Sequence, residues 1–429
     1  MFYKLIFKLG QQLRNPSINS WFSFLKQSES WSLEDLEAYQ LKRLKELLQF
    51  ANDHSPFYKK HFKDHQFSVA DVKSLKDIDK VPVITKRTLL DHTQEIHTQY
   101  DFKKLIKATT SGSSGESLVF NRNEEADSFN RAAIFRGYSW YNVNPWDKNG
   151  YFWGFNFSFK EKVKTKILDF LQHRFRIFSY EKKSFEQFVS KLKNAKYIHG
   201  YSSMLFQTAK LINERSLAKP KGLKMIKGTS EKIFDTYQEE VQKAFGLKII
   251  SEYGATESGI IAFECPKGKM HINMEGVLVE EVNDEILVTN LQMKSFPVIR
   301  YQLGDYIQLA PKEELCTCGK KHRILKEVTG RVGSNVYGYK EIYPSLYFYY
   351  IFKNLVKNNG LKLNYQVIQN KKGLLEFCIE QSMDDHKINL LKEEIKKYFS
   401  NDVAVEIMVN VSLQSTQGKF KSFISNINE

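Results

Sequence analysis

The sequence predicts an α/β protein in two parts: a large N-terminal domain of helix-covered β-sheets, residues 1–330, and a small α+β C-terminal domain, residues 331–429. Three observations carry this. Between Phe170 and Glu257, short apolar strand segments alternate with helical ones, the order that lays helices over a parallel sheet. GVLVEEVNDEILVTNL (276–291) then has the pattern of an antiparallel hairpin with Asn283-Asp284 at its turn. After VTGRVGSN (328–335) the character changes: LNYQVIQNKKGLLEFCIE is a hairpin about Lys372-Gly373, HKINLLKEEIKKYF an amphipathic helix and VAVEIMVNV a strand.

Taken in order, MFYKLIFKLGQQLRN is apolar and basic, with an apolar part too broken for a secretory signal. It reads as a helix packed on the main body, the alternative being a shallow contact with a membrane surface. A second helix opens at SLEDLEAYQLKRLKELLQFA, where Ser32 can cap and Asp35 can close a capping box. Leu36, Leu44, Leu47, Leu48 and Ala51 fall on one helical face. SPFYKKHF and DKVPVITKRTLL are proline-marked turns leading into another helix. EEADSFNRAAIFRGYSWYN reads as a helix, and YFWGFNFSF (151–159), aromatic at every second position, as a strand. The alternating region follows: AKYIHGYSS, KPKGLKMIKGTSE, a helix through EEVQKAFG, and LKIISEYGATE.

Bulk properties narrow the classes. No run approaches the ~18 apolar residues of a membrane span. Lys and Arg number 64 against 49 acidic residues, a net +15, but the lysines are spread along the chain and no compact nucleic-acid motif is present. No nucleic-acid partner is expected; the charge suits anionic substrates or an acidic membrane surface. Cys265, Cys316, Cys318 and Cys378, with no signal peptide, point to a reducing cytoplasm.

TTSGSSGES (109–117) holds six hydroxyls and two glycines, and no lysine. No lysine follows Gly115, so it is not a Walker A loop, and Gly112-Ser113-Ser114-Gly115 is one residue short of a nucleophile elbow. Alone it is a surface loop whose N–H groups and hydroxyls suit an anion. Its companions give it a context: ISEYGATESG (250–259), VIRYQLGDYI (298–307), VTGRVGS (328–334) and STQGKFKSF (415–423). With AxxxSPFYKKHF (51–62), VPVITK (81–86), HGYSS (199–203) and GTSE (228–231), these pieces resemble the adenylate-forming (ANL) superfamily. The likeness is to the phenylacetate–CoA ligase branch and its CapK-like relatives of capsular polysaccharide biosynthesis. It covers roughly residues 45–345, and the tail through one lysine motif.

The resemblance implies ATP as substrate and Mg²⁺ as cofactor. Thr110, Ser111, Gly112, Ser113 and Gly115 would surround the β- and γ-phosphates, with Ser230 and Glu231 of GTSE also at the nucleotide. In YGATE, Tyr253 and Gly254 would lie at adenine, Thr256 would meet phosphate and Glu257 would hold Mg²⁺. Asp305 would accept from both ribose hydroxyls and Arg331 would reach ribose or phosphate; read by itself, Leu-Gly-Asp suits a hairpin turn. Lys419 matches the family's mobile catalytic lysine, with Lys421 its neighbour and rival, although the family's preceding arginine is absent. Gly333 stands where many relatives carry an acidic hinge residue.

The residues themselves offer a tetrahedral Zn²⁺ set, Cys265, His271, Cys316 and Cys318, with His322 competing as the fourth ligand, and relatives carry similar patterns. Unliganded thiols are the plain alternative. Cys378 falls in a strand and reads as core. The implied activity is ATP-dependent activation of a carboxylic acid as an acyl-adenylate, then transfer to coenzyme A, an amino sugar or a carrier protein. Two other readings stand beside it: an acyl-protein synthetase, and a zinc-stabilised anion- or nucleic-acid-binding protein with a degenerate site.

Overall fold

The computed structural model describes residues 2–110, 117–152, 159–177, 182–231, 233–331, 335–413, 415–416 and 419–427. By contacts the chain divides into two units. The first comprises Met1–Trp146, Glu252–Leu303 and Ile307–Val328; the second comprises Asp147–Ser251, Gly304–Tyr306 and Thr329–Glu429. This partition differs from 1–330 and 331–429, because the C-terminal segment shares one apolar core with residues of the 147–251 region.

The first unit opens with three helices, Phe2–Arg14, Ile18–Ser28 and Leu33–His54. The third begins as its sequence requires: Ser32 accepts from the Asp35 N–H and Asp35 answers at the Ser32 N–H, the reciprocal capping box. Leu36, Leu44, Leu47, Leu48 and Ala51 are all at most 1% exposed. Each leucine contributes about 1.5–3 kcal/mol by burial, so a single Leu44→Asp would undo the helix's docking. Ser55 then caps Pro56–Asp64, with proline in the first turn where its missing N–H costs nothing. The strands lying wholly or partly in this unit run in the order Val277–Val282, Glu285–Asn290, Tyr301–Leu309, Ile324–Arg331, Met270–Ile272, Gly259–Glu264, Ile249–Ala255. Asn283 and Asp284 both adopt left-handed φ (53° and 65°) between paired Val282 and Glu285, the two-residue turn whose twist suits a hairpin.

In the second unit the expected parallel arrangement is present: Arg174–Arg176, Asn149–Phe152, Tyr197–Tyr201 and Met225–Thr229 lie side by side in that order, all parallel. Gly200 is required there, since a Cβ would lie 2.3 Å from the Phe152 carbonyl oxygen. Of the aromatic stretch 151–159, expected as strand throughout, Tyr151 and Phe152 are strand and Phe159 is helical. The described part of the strand runs to Phe152, 153–158 lie outside the described residues, and Phe159 opens the helix Phe159–Leu171. The C-terminal module forms a four-stranded sheet in the order Ala404–Met408, Leu374–Ile379, Tyr365–Lys371, Phe423–Ser425, with helices Leu346–Asn359 and Asp385–Phe399. The hairpin about Lys372-Gly373 is there, Gly373 at φ 78°. Phe234 meets Tyr365 edge-on at 5.5 Å, joining this module to the helix Asp235–Phe245 region.

Candidate functional site

The hydroxyl-rich loop is carried by an antiparallel hairpin, Leu105–Thr109 with Val119–Asn123. Thr110 closes its neck twice: its N–H donates to the Leu118 carbonyl, and its Oγ1 accepts from the Leu118 N–H, both at 2.9 Å. Ser111, Gly112, Ser113 and Gly115 lie outside the described residues.

The YGATE segment ends the strand Ile249–Ala255 and turns into Gly259–Glu264. The pairing slips between Tyr253 and Gly254, where a Cβ on Gly254 would stand 2.4 Å from the Gly259 carbonyl oxygen. The turn is held from three sides. Arg122 donates to the Thr256 carbonyl, Asn290 to the Ser258 carbonyl at 3.0 Å, and Asn130 accepts from the Ile260 N–H at 2.7 Å. Glu257 is 7% exposed, and the Tyr301 hydroxyl donates to its Oε1 at 3.1 Å. Arg122 is itself set by Asp127 at 3.0 Å, whose other oxygen takes bonds from Arg131 and Asn15, both at 2.8 Å. The hairpin bearing the loop is thereby tied through one guanidinium to the turn bearing Thr256 and Glu257.

RYQLGD is strand, not a hairpin turn. In Tyr301–Leu309 the buried residues are Tyr301, Leu303, Asp305 and Ile307, so Asp305 occupies an apolar phase of the alternation. Gly304 takes φ 82° beside it. Arg331 is the last residue of Ile324–Arg331, its side chain outside the described set, as is Gly333. Ser230 is exposed with left-handed φ 67°. Glu231 accepts from the Ser203 N–H at 2.8 Å, a carboxylate at the start of the helix Ser202–Glu214 that also complements the helix dipole. The Lys419 backbone lies in a two-residue strand paired with Ser415–Thr416, and its side chain is not among those described. Lys421 is half-buried, and its carbonyl accepts from Gln366 at 2.9 Å. Thr110, Tyr253, Gly254, Thr256 and Glu257 thus belong to the first unit; Ser230, Glu231, Asp305, Arg331 and Lys419 belong to the second.

The sulfur and imidazole set converges within the first unit. One donor atom each from Cys265, His271, Cys316 and Cys318 lies within 4.8 Å of every other. A tetrahedral zinc ion places thiolates about 3.8 Å apart and thiolate and imidazole about 3.5 Å apart. Cys265 Sγ to Cys316 Sγ is 3.6 Å, and Cys318 Sγ to His271 Nε2 is 3.2 Å. Burial pulls the His271 imidazole down to about 4, leaving it neutral at pH 7, the ligand form. Burial pushes the Cys316 thiol up to about 11, so a cation is what would hold it as thiolate. His322 is turned away: its Nε2 meets Glu275 at 2.9 Å in a buried cluster with Arg136, while its carbonyl lies 3.3 Å from His271 Nδ1. That carbonyl would keep the proton on Nδ1 and present Nε2 to the sulfurs. Cys378 is buried in the strand Leu374–Ile379, as core.

No family model matches the chain. Protein CapK of Staphylococcus aureus is 22% identical over 417 residues, covering 91% of this chain and 89% of its own. Among solved structures, 2-hydroxyisobutyryl-CoA ligase in the postadenylation state with 2-HIB-AMP superposes with a TM-score of 0.69 at 16% identity. The match spans 94% of this chain and 92% of that one. The same ligase with 2-HIB-AMP and CoA in the thioesterification state gives 0.60 at 18% identity, over 93% and 91%. The fold is that of the adenylate-forming enzymes.

On this adenylate-forming fold, reading the motifs alone missed Arg122 and Tyr301. Tyr301 lies inside a quoted motif, overshadowed by the aspartate. Arg122 had a fainter signal: two residues after Phe120 in a strand, it sits in the apolar phase, where a charge is expected only if it is paired. Asn130 and Asn290 had none, for each serves a turn more than a hundred or about thirty residues away in sequence.

Proposed function

We propose that the chain activates a carboxylic acid with ATP as an acyl-adenylate and passes the acyl group on. The observation that carries this reading is the tie from the loop-bearing hairpin through Arg122 to the turn of Thr256 and Glu257, with Glu257 kept in place by Tyr301. A phosphate site needs its loop and its metal-binding carboxylate fixed together before the nucleotide arrives.

In the first step a carboxylate oxygen attacks the α-phosphorus, the oxygen–phosphorus bond forms, and the bond to the β-phosphate oxygen breaks to release pyrophosphate. No general base is required, as the nucleophile is already ionised. The catalysis is alignment and charge stabilisation. Thr110, Ser111, Gly112, Ser113 and Gly115 cradle the departing phosphates. Tyr253 and Gly254 lie at adenine, Thr256 at phosphate, Asp305 and Arg331 at ribose, with Ser230 and Glu231 nearby. Lys419 bridges the acid and the α-phosphate. Glu257, a buried hard-oxygen donor, would hold Mg²⁺, which would neutralise phosphate charge. In the second step an acceptor attacks the acyl carbon and AMP leaves. Coenzyme A is the acceptor favoured by the likeness to a CoA ligase; an amino sugar or a carrier protein fits the CapK-like relationship, in capsule or O-antigen assembly. Cys265, His271, Cys316 and Cys318 would hold Zn²⁺ as a structural ion joining two loops.

Exchange of labelled pyrophosphate into ATP, run with aryl, fatty, hydroxy and amino acids, tests the proposal. Exchange with one acid class, lost in Lys419→Ala, is expected. Absence of exchange with every acid, together with no ATP binding, would overturn it.

A further inference from the structure

We propose that the helix Phe2–Arg14 seats the protein on an anionic lipid surface. The helix has two apolar faces. Phe7 packs on Phe135 and Trp146 at about 6 Å (6.0 and 6.1 Å), and Lys104 donates to the carbonyls of Leu13 and Arg14, so one side is fastened to the body. Phe2, Leu5, Leu9 and Leu13 stand on another side, 60%, 61%, 58% and 81% exposed. At 100° per residue, Leu5, Leu9 and Leu13 form one stripe, with Phe2 on the same face.

Three observations choose the occupant. The helix carries Lys4, Lys8 and Arg14 and no acidic residue, so its complement is negative. Lys8 is exposed about 105° round from the stripe's centre, where a long side chain reaches headgroups while leucines enter the acyl boundary, and Lys4, also exposed, stands further round, both ammoniums lying over the Trp146 ring at 5.8 and 5.4 Å. Finally, a helix of 13 residues is about 20 Å long and about 10 Å wide, too small a footprint for the roughly 800 Å² per partner of a stable dimer. An interfacial helix needs only this shallow stripe. No helix among the described residues is long and apolar enough to cross a membrane, so the contact is peripheral.

The test is co-sedimentation of the full chain with vesicles of phosphatidylcholine, with and without about one third phosphatidylglycerol. The wild type should sediment with the anionic vesicles and stay in solution with the neutral ones. Leu5→Glu/Leu9→Glu should lower that binding by at least about tenfold, and Lys4→Glu/Lys8→Glu by about tenfold with a loss of salt dependence. Leu5 and Leu9 are exposed, and Lys4 and Lys8 give up only exposed contacts with Trp146, so melting temperature should be unchanged in the first variant and lower by no more than a few degrees in the second, which separates lost docking from lost folding. A second helix, Phe159–Leu171, exposes Val163, Ile167, Leu168 and Phe170 among lysines, and Ile167→Glu is the control. Vesicle binding that survives the leucine changes but disappears with Ile167→Glu overturns the proposal. So does no binding to anionic vesicles, or a dimer in light scattering that the leucine changes dissolve.

Discussion

Held between Arg122, Arg131 and Asn15, the Asp127 carboxylate shows what one buried charge does here. Burial alone would raise its pKa; the charge and hydrogen bond of Arg131, the Asn15 amide and Arg122 outweigh that and hold it at about 2, against an ordinary 3.8. Because the folded value is depressed, the stabilisation is complete above the unfolded value near 3.8 and fades as pH falls through about 2. The window is worth roughly 2 kcal/mol. In urea melts at pH 7, 4 and 2, the wild type should lose that increment between pH 4 and 2, whereas Asp127→Asn, less stable throughout, should show no such step. Equal acid loss in both proteins would refute the assignment. Tyr301 supports a second prediction. Removing its hydroxyl leaves Glu257 one bond short, a cost of about 1 kcal/mol. Tyr301→Phe should therefore raise the Mg²⁺ concentration for half-maximal exchange about fivefold while lowering the melting temperature by no more than about 4 °C. Residues of this kind differ in legibility. Glu257 and Asp305 could be picked out because their motifs are short and ordered; Arg122 could not, since its role depends on a strand register and on a turn 134 residues away.

At the scale of elements, local chemistry was the better guide. The capping box at Ser32 and the left-handed pair Asn283-Asp284 are determined by neighbours within three residues, and both are found as read. Asp284 pays for its φ of 65° with strain that glycine lacks, so Asp284→Gly should stabilise the hairpin by about 0.5 kcal/mol, seen as a small rise in melting temperature. No rise, or a fall, would mean that the Asp284 side chain matters more than its backbone. The strand expected over 151–159 does not reach its last residue, since Phe159 begins a helix, and alternation of aromatics alone does not separate the end of a strand from the start of a helix. The two cysteine loops are an element of another kind, with spacing visible in sequence but the choice between His271 and His322 decided only by the Glu275–Arg136 cluster that claims His322. Purified protein should carry about one zinc ion by mass spectrometry, and Cys316→Ser should lose it and melt roughly 5 °C lower. Metal-free wild-type protein of full stability would remove zinc from the account.

For the whole molecule, the order of motifs along the chain was enough to expect the adenylate-forming fold, because several of them, such as HGYSS and YGATE, stand at strand ends whose sequence is constrained locally. The grouping of residues 329–429 with 147–251 was not, since it depends on apolar side chains such as Phe234, Tyr237, Leu363 and Tyr365 meeting across more than a hundred residues. That grouping bears on how the two half-reactions would be separated. If Lys419 serves only the formation of the adenylate, it has no part in the attack of the acceptor on the acyl carbon. Lys419→Ala should then fail at pyrophosphate exchange by about a hundred- to a thousandfold, as expected for removing a charge that stabilises the transition state. Supplied with the preformed acyl-adenylate of whichever acid supports exchange in the wild type, the same variant should still release AMP to its acceptor at close to the wild-type rate. Running that second assay with coenzyme A alone also identifies the acceptor: thioester formation assigns coenzyme A, and an adenylate stable to coenzyme A but discharged by an amino sugar or a carrier protein assigns one of those. A variant equally slow in both halves would mean that Lys419 acts on the structure of the site as a whole rather than on the first step.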